Sequence, residues 1–310
     1  MNGTDGHRRP AQLDPAGSPA SSASPALTAP SALAGPTVPT EPARPPRINR
    51  VVVVIPAHDE RERIAAAVES VIAAAVEAGR QTVVRVVLDA CTDGTGAVVP
   101  AGAGGVGVEK RIVTARNVGA ARAAGVDPVD LRSDVWLAHT DADTIVDRRW
   151  LATQIAHAEA GAGAVVGTIG VGDWEERPGD VRPRYELLYD DAPGHRHIHG
   201  ANLGVRGSAY GWVGGFRSLD ESEDVDLVER LTRADVAVAW VDDCRVTTSA
   251  RVSKRTGGGF SGFLDELQRG TGPSAGAGVG EGVGPSVSGG GSRAGSVPAG
   301  EQPLEAHGTA

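Results

Sequence analysis

Val51-Val-Val-Val-Ile-Pro-Ala-His-Asp-Glu60 is the stretch that decides the fold. Its first five residues, Val51–Ile55, are apolar and β-branched without a polar interruption, which is typical of a strand buried on both faces of a sheet. Apolar residues then recur at helical spacing from Ile64 to Val76, and the pattern ends near Gly79. The stretch therefore predicts a buried strand followed by an amphipathic helix.

The same alternation continues along the chain. Further strands are predicted at Val83–Leu88, Ile112–Val113, Val135–Ala138 and Ala164–Ile169. Helices are predicted after Gly94 and at Asn117–Gly125, Trp150–Glu159 and Asp224–Ala234, with less regular strands at His199–Arg206 and Ala237–Val241. Strands alternating with helices predict an α/β fold with a mostly parallel sheet and helices on both faces.

The two ends of the chain differ in composition from its middle. Residues 1–47 are rich in Pro, Ala and Ser, and residues 269–310 in Gly and Ser, so both are predicted to be disordered tails. One domain is expected at 48–268, with a first half to about 145 and a second half from 146.

Charge and composition exclude several classes of protein. The formal net charge is −9 among 310 residues, which argues against a nucleic-acid partner. No apolar run approaches the ~18 residues of a membrane span, and the first residues lack the apolar core of a signal peptide. We therefore expect a cytoplasmic protein without a transmembrane segment. The two cysteines, Cys91 and Cys244, leave one disulfide open but form no disulfide framework.

Acidic residues follow the predicted strands, where ligands bind in sheets of this kind. Asp59 and Glu60 follow the first strand, and they either complement a helix dipole or belong to a site. Asp89 ends the second strand, where its carboxylate can accept a hydrogen bond from a nucleobase N–H. The neighbouring Asp93-Gly94 pair is also a common turn signal.

Asp141-Ala142-Asp143 follows the fourth strand. Side chains at i and i+2 of an extended segment point to the same side, and two carboxylates there repel each other unless a cation lies between them. Oxygen ligands suit Mg²⁺ or Mn²⁺ carrying a diphosphate. A solvated turn is the alternative, and the position after an apolar strand favours the metal.

Three further motifs lie in the second half of the domain. Glu223-Asp224 opens a predicted helix, as a charged first turn or as a general base that takes a proton from a hydroxyl. Gly200-Ala-Asn202 and Gly214-Gly-Phe216 allow close approach of a ligand or simply make turns.

In their order and spacing, these motifs resemble GT-A (Rossmann-like) glycosyltransferases close to family 2. The matching stretches are Val52–Glu60, Asp89–Thr95, Ala115–Arg122, Asp141–Asp143, Gly200–Asn202, Gly214–Phe216 and Glu223–Asp224. The resemblance implies a GT-A domain whose first half binds the nucleotide and whose second half binds the acceptor.

The resemblance also implies roles for individual residues. It places the following residues at the nucleotide sugar: Pro56, Ala57, Glu60, Asp89, Gly119, Arg122, Asp141 and Asn202. Asp143, with Asp141, would bind the metal, Mg²⁺ or Mn²⁺. Asp224 would be the catalytic base, with Glu223 beside it.

The implied activity is the inverting transfer of a hexose from a nucleoside diphosphate sugar, most commonly a UDP-sugar, to an unknown acceptor hydroxyl. A homodimer is left open. The alternatives are a nucleotidyltransferase acting on sugar phosphates, a non-catalytic nucleotide-sugar-binding relative, and a retaining mechanism. The acidic segment after the first strand disfavours a nucleotidyltransferase, which would carry a Gly-rich basic loop there.

The sequence departs from the family pattern in several places. His58 and Asp59 stand where an aromatic residue and Asn are usual, and Cys91 where Ser is common. Many relatives complete the metal site with a C-terminal histidine, but the only histidine after His199 is His307. Either water is expected to complete the metal shell, or Arg251 with Lys254 and Arg255 is expected to supply positive charge to the diphosphate instead. Residues 255–260 are predicted to form a mobile loop.

His195, His197 and His199 are spaced to share one face of a strand. They form either a wall of the acceptor site, a zinc site or no site at all.

Overall fold

A computed structural model describes residues 45–189, 191–192, 194–251 and 259–270. All of them fall in one compact unit that begins at Arg44. Most of both predicted tails, and the basic residues Lys254 and Arg255, lie outside the described residues. So does most of the predicted loop at 255–260.

The strands and helices largely confirm the predicted alternation. The strands are β1 (Arg50–Ala57), β2 (Gln81–Asp89), β3 (Gly102–Ala103), β4 (Val106–Val113), β5 (Val135–His139), β6 (Ile145–Val146), β7 (Ala164–Asp173), β8 (Leu203–Arg206) and β9 (Val238–Ser249). The helices are α1 (Ile64–Ala78), α2 (Thr95–Val98), α3 (Val118–Ala124), α4 (Trp150–Glu159), α5 (Val181–Leu188), α6 (Gly207–Trp212), α7 (Glu223–Arg233) and α8 (Gly259–Arg269). Short 3₁₀ turns lie at Pro128–Asp130 and Gly200–Asn202.

The strands form one mixed sheet in the order β3-β4-β2-β1-β5-β8-β7-β9-β6. β4, β2, β1 and β5 are parallel neighbours, β8 runs antiparallel to both β5 and β7, and β9 is parallel to β7. The carboxyl ends of β1, β2, β5 and β9 therefore share one edge of the sheet with the beginning of β8. The predicted site residues that follow these strands lie at this edge.

Helices cover both faces of the sheet, as predicted. Val51, Val53 and Ile55 of β1 pack in one core with α1 and α4. Val52 and Val54 point the other way, into a core formed with α3, α6 and α7. Both sets are fully buried because neighbouring strand residues face opposite sides, which explains the uninterrupted apolar run.

A third, smaller core joins α5 and α8, two helices that sequence patterns did not predict. It is formed by Val181, Tyr185, Ala250, Phe263, Leu264 and Leu267. It packs beside the end of β9, so it supports the chain where Arg251 leaves the sheet. Within the described ranges, no helix combines the length and apolar character needed to cross a membrane.

Two local predictions are wrong. Residues 199–202 are not the start of a strand: Gly200–Asn202 forms a 3₁₀ turn, and β8 begins only at Leu203. Asp59 and Glu60 do not lie in the first turn of a helix, since α1 begins at Ile64 with no acidic residue in that turn. The helix-dipole explanation for these two acids therefore does not apply.

Candidate functional site

The loop after β1 is tied to the loop after β2 through Asp59. Asp59 has a left-handed backbone (φ 55°), and its carboxylate accepts hydrogen bonds from the main-chain N–H of Thr92 at 2.6 Å and of Asp93 at 3.2 Å. The bond from Thr92 and that from Asp93 lower the pKa of Asp59, against partial desolvation. The acid that departs from the family pattern thus holds two loops together.

Asp89 connects β2 to the start of α3. Its two carboxylate oxygens accept hydrogen bonds from the main-chain N–H groups of Arg116 at 2.8 Å and Asn117 at 3.0 Å. Asn117 in turn caps α3 by accepting the N–H of Ala120. Asp89 is thus held rigidly at the carboxyl edge, and its contact with a nucleobase stays a prediction.

Asp141 and Asp143 lie in a tight turn after β5, closed by a hydrogen bond from Thr144 N to Asp141 O at 3.2 Å. The expectation that they project from an extended segment is therefore wrong. Each carboxylate instead contacts a different arginine. Arg122 Nη2 lies 2.6 Å from Asp141 Oδ1, and Arg251 Nε lies 3.0 Å from Asp143 Oδ2.

Arg122 joins the acid after β5 to the acids that open α7. Its Nη1 pairs with Glu223, its Nη2 with Asp141, and its guanidinium lies 5.5 Å from the ring centroid of Phe216. Burial works to lower the pKa of Arg122, but Asp141 and Glu223 outweigh it and raise that pKa. Arg122 was predicted to hold phosphates, and in the structure this buried side chain already binds two carboxylates.

Asp224 is oriented by two main-chain groups. Its Oδ2 accepts the N–H of Gly200 at 2.6 Å, and its Oδ1 accepts the N–H of Val225 at 2.9 Å. Burial raises the pKa of Asp224, and also that of Glu223, above the usual range, although Arg122 opposes this in both cases. A fixed carboxylate with a raised pKa is a stronger base than a free one.

Arg251 binds acids from two different loops. Its Nη1 donates to Glu60 Oε2 at 2.8 Å and its Nη2 to Glu60 Oε1, so the guanidinium grips that carboxylate with two parallel bonds. Its Nε contacts Asp143. Burial raises the pKa of Asp143 to about 6, although the charge of Arg251 lowers it.

The residues present fit a divalent cation that is held partly by the protein and partly by a bound diphosphate. Asp141 and Asp143 each pair one carboxylate oxygen with an arginine, and hard oxygen ligands of this kind suit Mg²⁺ or Mn²⁺. In the part of the chain that the structure describes, no three His, Cys, Asp or Glu side chains are grouped to hold a metal on their own. A metal here would take its other ligands from a diphosphate and water, as Mg²⁺ commonly does.

Two predicted nucleotide-sugar residues are placed elsewhere than expected. Asn202 is fully buried, and its amide donates to Thr168 O at 2.8 Å and Cys244 O at 2.6 Å while its oxygen accepts from Trp150 Nε1. It therefore braces the core instead of lining a cleft. Gly119 is a packing residue, since a Cβ there would lie 2.1 Å from Arg217 O. Pro56 and Ala57 close β1 at the predicted edge.

The three histidines do not lie on a regular strand. His195, His197 and His199 stack on one another with ring centroids 6.0 and 6.1 Å apart, and Tyr189 stacks on His197 at 4.3 Å. Burial, with His197 and His195, lowers the pKa of His199 to about 3. The stacking of the rings indicates packing, and the described residues hold no grouping suited to zinc. Cys91 and Cys244 are both free thiols.

Sequence patterns missed two residues that support the site. Thr95 is fully buried, and its Oγ1 accepts the N–H of Glu60 at 2.8 Å. Arg177, also buried, donates to Ala250 O at 2.6 Å and to Arg251 O at 3.1 Å. Thr95 lies in a matched motif, which could have indicated it, whereas no local pattern singles out Arg177.

Comparison with solved structures finds similar chains. The mannosyltransferase PcManGT from Pyrobaculum calidifontis, solved with GDP-Man and Mn²⁺, is 19% identical with a TM-score of 0.47, and the match covers 68% of this chain and 59% of that chain. TarS 1-349 from S. aureus, solved with UDP, is 13% identical with a TM-score of 0.49, covering 64% of this chain and 60% of that chain. The chain thus spans less than two thirds of either structure. No curated protein matches it.

The family profile described as Glycosyl transferase family 2 matches residues 52–220, which is more than half of the chain. The matched range includes the ends of β1, β2 and β5, where Glu60, Asp89, Asp141 and Asp143 lie. The resemblance predicted from the motifs is confirmed. The chain belongs to glycosyl transferase family 2.

Proposed function

We propose that the protein transfers a sugar from a nucleoside diphosphate sugar to an acceptor hydroxyl, with inversion at the anomeric carbon. One observation carries the proposal. Arg122 joins Asp141, on the turn predicted to bind the metal, to Glu223, the neighbour of the predicted base Asp224. Acids predicted for the donor and for the acceptor therefore belong to one connected cluster.

Asp224 acts as the base in this proposal. Its carboxylate takes the proton of the acceptor hydroxyl while the hydroxyl oxygen forms a bond to the sugar C1. The bond from C1 to the diphosphate oxygen breaks, and the nucleoside diphosphate leaves with the electron pair. Gly200 N–H and Val225 N–H keep the carboxylate of Asp224 aimed in one direction. Attack opposite the leaving group inverts C1 without a covalent intermediate.

Glu60 and Asp89 would bind the ribose and base at the ends of β1 and β2. Asp141 and Asp143 would hold Mg²⁺ or Mn²⁺, which supplies Lewis-acid neutralisation of the leaving diphosphate. Arg251 adds a second positive group near that diphosphate. The hexose, the UDP nucleotide, the cytoplasmic location, the homodimer and the division of the domain at 145 stay predictions.

The family match does not favour a nucleotidyltransferase. A non-catalytic relative would have no need of the base, and the raised pKa and the two main-chain contacts of Asp224 support its retention for catalysis.

A thermal-shift screen of nucleoside diphosphates and their sugars, with and without Mn²⁺, tests the proposal, because a ligand that binds the folded state raises its stability. The best ligand is then titrated by calorimetry. Asp143→Ala should abolish the Mn²⁺-dependent part of its binding, and unchanged binding would contradict the metal assignment. Anomeric NMR of the product separates inversion from retention.

A further inference from the structure

Arg251 contacts two carboxylates at the same time, one predicted to bind the nucleotide sugar and one predicted to bind the metal. Its guanidinium binds both carboxylate oxygens of Glu60, and its Nε lies 3.0 Å from Asp143 Oδ2. Glu60 comes from the loop after β1 and Asp143 from the turn after β5. A ribose hydroxyl at Glu60 and a metal at Asp143 would both compete with this one side chain.

The main chain of Arg251 is fixed independently of its side chain. Arg251 N donates to Ser249 Oγ at 3.2 Å, and Arg251 O accepts from Arg177 Nη2 at 3.1 Å and from Ser261 Oγ at 3.3 Å. The guanidinium can therefore leave the two acids by rotation about the side-chain bonds while the end of β9 stays in place.

Solvent exposure distinguishes Arg251 from Arg122, the other cation of the site. Two guanidinium groups, of Arg122 and Arg251, face the carboxylates of Glu60, Asp141, Asp143, Glu223 and Asp224. The Arg122 side chain is 4% exposed and packed under Phe216, whereas that of Arg251 is 24% exposed. Arg251 is the one of the two that solvent and an incoming ligand can reach.

We infer that Arg251 is an exchangeable counter-cation. It blocks the carboxylates of Glu60 and Asp143 until a nucleoside diphosphate binds with its divalent metal. On binding, the guanidinium moves from the carboxylates to the diphosphate oxygens, which it can also grip with two parallel bonds. A single rotation of the Arg251 side chain frees both carboxylates, so the metal binds well only when the nucleotide is present. The inference rests on the proposed function and adds an order of loading to it.

The test measures two ligands on the full chain. Mn²⁺ alone is titrated into nucleotide-free protein and followed by electron paramagnetic resonance, and UDP and GDP are titrated by calorimetry at saturating Mn²⁺. In Arg251→Met, Mn²⁺ alone should bind about tenfold more tightly because a competing positive charge is gone, while the nucleoside diphosphate should bind about tenfold more weakly. The exposed Arg148→Met is the matched control and should change neither.

Opposite changes for the two ligands are the signature of exchange. Unchanged Mn²⁺ binding, or weaker binding of both ligands, would overturn the inference and leave Arg251 as a brace between loops. If circular dichroism shows that Arg251→Met does not fold, Arg251→Lys replaces it. An ammonium group cannot span both acids, so the same two shifts are expected at about threefold, and their absence overturns the inference.

The two proposals fail in different ways. Wild-type protein that binds no nucleoside diphosphate of the thermal-shift screen with Mn²⁺ contradicts the proposed function. Wild-type protein that binds one of them, with variants that lack the opposite shifts, contradicts only the exchange.

Discussion

Two clusters of the site have the same chemistry and different surroundings. We name the two clusters after the predicted roles of Glu223 and Glu60: in the acceptor cluster Arg122 links Asp141 and Glu223, and in the donor cluster Arg251 links Glu60 and Asp143. Arg122 projects from the last turn of α3 and is almost fully buried, whereas Arg251 follows the end of β9 and is partly exposed. In our proposal, an arginine between two carboxylates is fixed when it is buried and exchangeable when solvent can reach it.

The physical reason is the difference in desolvation. Removing one member of a buried ion pair leaves an uncompensated charge in a medium that solvates it poorly. A pair that water can reach contributes less, because water replaces the lost partner. We therefore expect the acceptor cluster to behave as a fixed scaffold and the donor cluster as a removable one.

The largest effect is expected for the base held by the acceptor cluster. Asp224→Asn keeps the shape and the hydrogen bond from Gly200 but cannot accept the proton, so kcat should fall by about 10³-fold. Binding of the nucleoside diphosphate with Mn²⁺, measured by calorimetry, should stay within about twofold. Normal turnover would rule out Asp224 as the base.

Removing the buried arginine should cost more stability than removing the accessible one. Arg122→Met leaves Asp141 and Glu223 without their cation and should lower the free energy of unfolding by about 3 kcal/mol. Arg251→Met should lower it by about 1 kcal/mol, since its pair is partly hydrated. Urea unfolding of both variants measures the difference, and equal losses would show that burial does not distinguish the two arginines.

Gly200 tests how tightly the acceptor cluster is packed. A Cβ at this position would lie 2.4 Å from Arg122 Nη2, so Gly200→Ala must displace the guanidinium. The free energy of unfolding should fall by about 2 kcal/mol, and kcat should fall with it. Gly179→Ala is the matched control, because nothing lies within 4 Å of a Cβ there. Its unfolding free energy should change by less than about 0.5 kcal/mol.

The smallest effect at neutral pH concerns His139, which lies beside the acceptor cluster. Its ring packs 4.9 Å from Phe216, and among the described residues neither ring nitrogen has a hydrogen-bond partner. His139→Phe removes two unsatisfied polar atoms and should keep the free energy of unfolding within about 1 kcal/mol at pH 7.5.

At acidic pH, the stability of His139→Phe should differ from that of the wild type. Burial, with the charge of Arg122, lowers the pKa of His139 to about 3 in the folded state, below the value near 6.5 expected when unfolded. Stability from the neutral ring is therefore present above pH 6.5 and is lost as the pH falls from 6.5 towards 3. Between pH 7.5 and 5.5 the variant should lose about 1.5 kcal/mol less than the wild type. Parallel losses in urea unfolding would contradict this assignment.

Much of the fold could be predicted because its signals are local. The apolar run at Val51–Ile55 and the helical spacing up to Gly79 each lie within one element, and the structure confirms both. α5 was missed because few of its residues are apolar, whereas Phe260, Phe263, Leu264 and Leu267 of α8 recur at helical spacing, a signal that could have predicted this helix. Only the fold shows that the two helices pack against each other and Ala250.

The residues of the site could be predicted better than their partners. Glu60, Asp89, Asp141 and Asp143 follow strands whose carboxyl ends meet at one edge, as expected for parallel strands. The partners of Asn202 could not be predicted, because the motif that contains it carries no sign that Thr168, Cys244 and Trp150 converge on its amide. Those three residues come from two strands and a helix that only the folded sheet brings together.

The sequence by itself determined the family, the alternation of strands and helices, and the order of the acids along the chain, because these depend on spacing within short segments. Only the tertiary structure decided which cation balances which acid. Arg122 and Glu223 are 101 residues apart, and Arg251 and Glu60 are 191 apart. Such pairs form only when β8 inserts antiparallel between β5 and β7 and β9 ends at the shared edge. The same topology buries Arg122 and leaves Arg251 within reach of solvent, and that difference in desolvation separates the scaffold from the exchangeable cation.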